Sequence, residues 1–415
     1  MENKVDQRFF ALCEYILSDI EHFENVYLSK KEKILNRITN SAGVIGIIIA
    51  YTMMVLKKGT INLTLFRDIA ILDIKGNLIL GKQEIASEQT ELPLRRCHFP
   101  SLRIIQEICK AYLKYSSEIR TSPPCHPVSN KLYLFWLLNF FFYRSVVFAN
   151  SKKILLNLKS VVTYNEYMPS ICGCLSAFYD LSLPLSLYIG IKNNYPDLTI
   201  KSLCFFSQVI ASNGSDADTI RSHCEVPLFI ERRNNKPIFF DSIIAPRIGV
   251  FLSSYYTTES QILKYLINNK VLSFLENVQK DWNAQSVVVH CHPNDMRPKS
   301  LLNENNIFVY ESNSMNGIRM RNYDIIFCGN TSVVEEALNE GIPVVYTGDL
   351  DTYTYDLYGY VNSGIVCDAT YSIPSRADVQ LFYDDQDTQD RIYNFKKGIN
   401  DMEAIDFIEA ICRPL

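Results

Sequence analysis

From Lys131 to about residue 370, short apolar runs alternate with stretches of helical spacing. The period-two and period-3.6 signals separate strands from helices. Val161-Val-Thr163 reads as a strand end, and Ile171 to Asp180 as the helix after it. Leu185 to Ile189 and Phe205 to Ala211 read as further strands, with a helix beginning near Asp216. After residue 247 the rhythm repeats. Ile248–Leu252 reads as a strand, Ile262–Val278 as a helix and Ser286–His290 as a strand. Tyr323–Phe327 follows as a strand, Val333–Asn339 as a helix that stops at Gly341, and Pro343–Tyr346 as a strand. Alternation of this kind implies crossover connections and parallel sheets.

The first 120 residues differ. Phe9, Leu12, Tyr15 and Ile16 recur at helical spacing, as do Leu102, Ile105, Ile108 and Tyr112. A strand pair is predicted at Ile69–Ile74 and Leu78–Leu80, around Lys75-Gly-Asn77. Breaks fall at Ser122–Pro127 and in the polar stretch Arg232-Arg-Asn-Asn-Lys-Pro237, which reads as a linker. The expected organisation is a mostly helical region over 1–125 and a Rossmann-like domain over 126–240. A second such domain follows over 245–390. A terminal helix within 391–415, around Glu403–Ile411, packs back on the first domain. A chain of 415 residues has room for two separate cores.

Composition narrows the classes. An apolar content of 47% with 21% charged residues is that of a globular protein. The net charge of −4 and the lack of a basic stripe argue against nucleic acid as a partner. The 12 cysteines are scattered, and Cys172-Gly-Cys174 alone is no zinc pattern, so reduced thiols in a cytoplasmic setting are expected. The N-terminal residues lack a signal-peptide layout. Gly43–Leu56, 14 residues without a charge, is shorter than the roughly 20 a membrane span needs. Leu132–Tyr143 is strongly aromatic and flanked by Lys131 and Arg144. It reads as a buried core element, with a peripheral contact at the inner face of a membrane as the alternative.

The candidate chemistry gathers at strand ends, where open parallel sheets bind ligands. One strand runs into Cys291-His292-Pro293. Another runs into Gly329-Asn330-Thr331-Ser332 at a helix start. Free N–H groups and the dipole favour phosphate at such a start, and Gly329 would allow close backbone approach. Ser332 and Glu335 also have the spacing of a capping box. Glu336, one turn in, suits ribose hydroxyls. His292 suits a phosphate contact or a general acid. His290 reads as a core histidine with a backbone partner, because a zinc pair with His292 lacks further ligands. Glu166, after the Val161–Thr163 strand, is placed to take a proton from an acceptor hydroxyl. Glu259 and Asp216 are rivals, and Ser253 and Ser254 follow a strand end. Asp349-Leu-Asp351 has metal-motif spacing but follows a strand and reads as a loop, so no metal or cofactor is expected.

These features resemble GT-B glycosyltransferases of bacterial capsule and surface-polysaccharide synthesis that use CMP-activated acidic sugars. Members carry a His-Pro motif after one C-domain strand and a Ser/Thr-Ser motif at a later helix start. Here these are His292-Pro293 and Thr331-Ser332. The run Glu336-Ala-Leu-Asn-Glu-Gly341-Ile-Pro343-Val344 is similar to their helix-to-strand pattern, and Asn165-Glu166 resembles an Asn-Glu of related capsule enzymes. The resemblance covers roughly residues 155–370. The acidic-pair-Gly motif of polysialyltransferases has no counterpart.

The resemblance implies two doubly wound Rossmann-like domains facing a cleft. It also implies transfer of a nonulosonic acid or Kdo from a CMP-sugar donor to a glycan or lipid-linked glycan acceptor. His292, Pro293, Gly329, Asn330, Thr331, Ser332 and Glu336 would hold the nucleotide, and Glu166 and His292 would be catalytic. Other readings of the same chain are a teichoic-acid-like polyol-phosphate transferase, a UDP-sugar transferase or epimerase, and a non-catalytic capsule-assembly scaffold.

Overall fold

A computed structural model describes residues 77–80, 160–164, 169–191, 200–233, 236–242, 244–252, 261–291, 308–310, 320–350, 356–397 and 403–405, with a few single helical residues between 49 and 148. Among the described residues the strands form two six-stranded sheets, parallel throughout.

In the first sheet β1 (Asn77–Leu80), β2 (Ser160–Tyr164), β3 (Leu185–Ile189), β4 (Gln208–Ala211) and β5 (Leu228–Glu231) lie side by side in chain order. Helix α1 (Pro169–Asp180) links β2 to β3, and α2 (Gly214–His223) links β4 to β5. β3 and β4 are almost wholly buried, which is why they read as continuous apolar runs. The predicted strand over Phe205–Ala211 begins only at Gln208, because Ser202–Phe205 forms a 3-10 turn. β1 is the strand expected at Leu78–Leu80; it pairs in parallel with β2 and adds an edge to this sheet. The other elements expected there, and the strand at Ile69–Ile74, lie outside the described residues.

The aromatic run before β2 contributes to the core. Phe140 and Tyr143 are helical and buried. Arg144 reaches α1, donating to Ser176 at 2.7 Å and to Asp180 at 2.6 Å. Gly173 of α1 makes this approach possible: a Cβ there would stand 2.1 Å from the Phe140 carbonyl oxygen. Among the described residues, no helix is long and apolar enough to cross a membrane.

The second sheet is built from β6 (Arg247–Leu252), β7 (Ser286–Cys291), β8 (Phe308–Tyr310), β9 (Ile325–Cys328), β10 (Val344–Tyr346) and β11 (Cys367–Asp368). Helix α3 (Gln261–Asp281) joins β6 to β7, and α4 (Val333–Glu340) joins β9 to β10. Numbered within this sheet, the strand order is 3-2-1-4-5-6, that of dinucleotide-binding folds. The chain fills one side of β6, then crosses over and fills the other. β6 and β9 therefore flank the point where the order reverses. Ile248, Val250, Val289, Ile325, Phe327, Val344 and Val345 make the core of this sheet. Trp282, at the end of α3, packs edge-on against Phe327 and donates its indole N–H to the Pro374 carbonyl at 3.0 Å. Gly341 ends α4 with φ of +78°, a left-handed conformation that glycine adopts without strain.

The chain then forms α5 (Arg376–Asp384) and α6 (Gln386–Lys397) and returns to the first sheet. α6 packs against α2. The return ends in β12 (Ala404–Ile405), which pairs with Ile230 and Glu231 of β5. The terminal helix expected from Glu403 is thus a strand at 404–405. Ile405 is fully buried against Ile210, with Tyr188 and Phe229 around it, and an extended backbone here completes the hydrogen bonds of β5. Residues 406–415 lie outside the described residues. Two tandem Rossmann-like sheets, with the C-terminal segment joining the first, make the GT-B architecture.

Candidate functional site

The chain turns from β9 into α4 through Gly329, Asn330, Thr331 and Ser332, directly beside β6 at the reversal point. Register places the ends of three strands together: Leu252 of β6 pairs with Cys291 of β7, and Phe251 pairs with Cys328 of β9. The stretches beginning at Ser253, His292 and Gly329 therefore leave neighbouring strand ends. Ser253, Ser254, Glu259, His292, Pro293 and Glu166 themselves lie outside the described residues.

Within the described loop the residues divide by role. Gly329 is buried and Asn330 half-buried, whereas Ser332 and Glu336 are exposed. The Asn330 side-chain carbonyl accepts from the Tyr346 hydroxyl at 2.9 Å and from the Leu357 N–H at 2.8 Å. It anchors the loop to β10 and to the turn at 356–362. That turn is itself gathered by Asp356, whose carboxylate accepts from the N–H groups of Tyr360, Val361 and Asn362. The Thr331 hydroxyl accepts from the Val333 N–H at 3.4 Å.

The capping box expected of Ser332 and Glu335 is absent. Ser332 takes helical dihedrals, φ −63° and ψ −12°, and its side chain makes no capping bond. The residue is exposed. Glu335 does not turn back to Ser332 because Arg233 holds it. The Arg233 guanidinium lies 2.6 Å from a Glu335 oxygen.

Arg233 comes from the other half of the molecule. It follows β5 in the polar stretch that reads as a linker, yet its side chain is only 6% exposed. It also pairs with Glu231 at 3.0 Å, and Glu231 accepts from the Tyr188 hydroxyl at 2.6 Å. The second Glu335 oxygen accepts from Tyr360 at 3.2 Å and lies 3.5 Å from the Asn213 amide nitrogen. That same amide donates to Asp216 at 2.9 Å, and the Asn213 carbonyl caps α2 by accepting from the Asp216 N–H. Ser212 adds a hydroxyl bond to Asp216 at 2.6 Å. One buried network thus runs from the ends of β3, β4 and β5 to the first turn of α4.

The network holds three carboxylates, Asp216, Glu231 and Glu335, around one guanidinium, with the Lys396 ammonium of α6 near enough to Arg233 for repulsion between the two cations to be felt. Burial, and then the Glu335 charge, push the Asp216 carboxyl up to about 8, against hydrogen bonds from Ser212 and the Ile191 N–H. Burial also raises Glu335, against the pull of Arg233. Burial would strip Arg233 of its proton, but Glu335, Tyr188 and Glu231 more than compensate and hold it charged. Asp216, 7% exposed, is enclosed by this network.

His290 is buried on β7, stacked on its cross-strand neighbour Phe251 with ring centroids 4.3 Å apart. Its Nε2 meets the Tyr323 hydroxyl, a side-chain partner where sequence reasoning expects a backbone one. Burial lowers it to about 4, so it stays neutral near pH 7. Among the described residues, no group of three or more His, Cys, Asp or Glu is arranged to hold a metal ion.

The sequence singles out the β9–α4 loop and Asp216 but gives no signal for Arg233, Glu231, Tyr188 and Tyr360, which the structure gathers around Glu335. The polar run around Arg233 has the composition of a solvated linker. Nothing local pairs it with a glutamate a hundred residues away.

No protein-family model and no curated protein matches the chain. Similar solved structures include the glycosyltransferase SnogD from Streptomyces nogalater. The TM-score is 0.41 and the identity 16%, over 69% of this chain and 81% of that one. The calicheamicin glycosyltransferase CalG4 aligns with a TM-score of 0.41 and 13% identity, over 72% and 84%. The lipopolysaccharide outer core galactosyltransferase WaaB, in its apo form, aligns at 0.31 and 9%, over 64% and 77%.

Proposed function

We propose that this protein is a glycosyltransferase whose donor is a CMP-linked acidic sugar and whose acceptor is a glycan. The observation that carries the reading is the place of Gly329–Ser332. These residues open α4 at the reversal point of a 3-2-1-4-5-6 sheet, with the Ser332 hydroxyl exposed and not engaged in capping. Nucleotides bind at such points, and backbone N–H groups at a helix start receive their phosphates.

In the reaction the bond between the anomeric carbon and the CMP phosphate oxygen breaks, and its electron pair leaves with the phosphate. The acceptor hydroxyl forms the new bond to carbon, and its proton passes to a base. Negative charge grows on the phosphate as the sugar becomes oxocarbenium-like. Preorganised donors at that position therefore act where charge develops. The Ser332 hydroxyl supplies one of them, and His292, which follows the end of β7, supplies another. Glu336 receives ribose hydroxyls, and Glu166 on the first domain takes the acceptor proton.

The test is a thermal-shift panel of CMP, CDP, UDP and GDP with the purified protein. A ligand that binds only the native state stabilises it by RT ln(1 + [L]/Kd). CMP should raise Tm most. A larger rise with UDP would overturn the CMP assignment while keeping the phosphate site, and no rise with any nucleotide would overturn both. His292→Ala should lower kcat/KM at least about tenfold, and Glu166→Gln should lower transfer by about 100-fold or more with donor affinity retained.

A further inference from the structure

We infer that Arg233 is a positioning residue for the donor site, reaching from the first domain to fix the first turn of α4 through Glu335. This rests on the nucleotide reading of the Gly329–Ser332 loop.

The geometry supports the role in four ways. Glu335 is the third residue after Ser332, and its N–H donates to the Ser332 carbonyl at 3.1 Å, so its placement and that of Ser332 are linked. Its two carboxylate oxygens are divided. One meets Arg233, while the other meets Tyr360 and lies near the Asn213 amide. Tyr360 belongs to the turn whose Leu357 N–H grips Asn330, so the second-domain contacts of Glu335 and Asn330 share one brace. Asn213, finally, is the N-cap of α2, which ties the same carboxylate to a rigid element of the first domain. A surface ion pair would contribute little. This pair is enclosed, with side chains 6% and 11% exposed, and leaves an uncompensated buried charge if either partner is lost.

The consequence is a coupling between docking of the domains and binding of the nucleotide. If Arg233 and Glu335 meet only when the domains are docked, and their meeting orders the loop, then each event strengthens the other equally. A bound nucleotide should protect the junction, and a weakened junction should lower nucleotide affinity although no ligand contact has been removed.

The test uses the full chain with CMP, UDP and GDP as probes. Affinity is measured by calorimetry, and backbone amide exchange by mass spectrometry. Arg233→Lys and Glu335→Gln are the variants of choice, since they retain a charge or the hydrogen-bonding shape. Arg233→Met would leave the enclosed Glu335 and the half-buried Glu231 without their cation and risks unfolding. Each of the two milder variants should bind the nucleotide recognised by the wild type about tenfold more weakly, within the usual range of such couplings. The double variant should be no weaker than the worse single one, because both weaken the same contact. Amides of 213–217 and 333–336 should exchange faster in both, and in the wild type the nucleotide should slow them. Ser332→Ala should weaken binding while leaving exchange as in the wild type. Variants that bind as tightly as the wild type, or losses that simply add, overturn the positioning role. If Ser332→Ala weakens binding and the junction variants do not, only the positioning role falls. If the wild type binds none of the three nucleotides, the donor-site reading falls and this role with it.

Discussion

At the scale of single residues, the most informative group is Asp216. Its spacing near a strand end is that of a general base, but its surroundings are those of a proton-holding carboxyl. Burial, and then the neighbouring Glu335 charge, push it up to about 8 against the hydrogen bonds it accepts from the Ser212 hydroxyl and the Ile191 N–H. Because the folded value lies above the ordinary 3.8, the native state binds the proton that the unfolded chain releases. The stabilising contribution is complete below about pH 4. It is lost as pH rises toward 8, at up to about 1.4 kcal/mol per pH unit. Asp216→Asn removes this dependence. In urea unfolding at pH 5.5, 7 and 8.5, the variant should gain on the wild type steadily as pH rises. Parallel curves would mean that Asp216 is ionised throughout and held by its three donors.

At the scale of elements, the start of α4 separates a structural role from a binding one. Ser332 has the residue type and spacing of a cap, for which replacement by Ala typically costs about 1 kcal/mol. Its observed dihedrals and the absence of a side-chain bond argue for a much smaller effect. Ser332→Ala should change unfolding stability by no more than about 0.5 kcal/mol, the usual range for exposed positions. It should nevertheless weaken nucleotide binding about tenfold, equivalent to roughly 1.4 kcal/mol. Chemical denaturation and calorimetry on the same preparation check both parts. A large stability loss with unchanged affinity would return Ser332 to the capping role.

At the scale of the whole molecule, the C-terminal return holds the junction in register. β12 contributes only two residues, yet the Arg232 N–H donates to the Ile405 carbonyl at 2.9 Å, one residue before Arg233. Ile405 itself is fully buried. Ile405→Ala should cost about 2–4 kcal/mol in stability, as large-to-small changes in a core do. Faster exchange at the amides of Ile230 and Arg232 should accompany the loss. Exchange there matching the wild type would show that β12 covers the sheet without ordering the junction.

The strands around Leu187, Val250 and Phe327 and the helices beginning near Asp216 and Val333 were legible because burial on a parallel sheet demands apolar runs, and helices betray themselves by period. The glycine that stops α4 was legible for the same reason, since a left-handed residue is a local requirement. The loop Gly329–Ser332 could be singled out because it joins two such elements. What depended on distance was decided only by the tertiary structure. That β9 crosses to the far side of β6, placing this loop at the reversal, is a matter of strand order. That Glu335 leaves its helix cap for Arg233 is a competition between a local hydrogen bond and a buried ion pair a hundred residues apart, and the enclosed charge wins because it has no water to turn to. That Glu403 leads into a strand follows from the unpaired edge that β5 offers. Elements with a strong local pattern could be read from the residues, and the fold settled which of them meet.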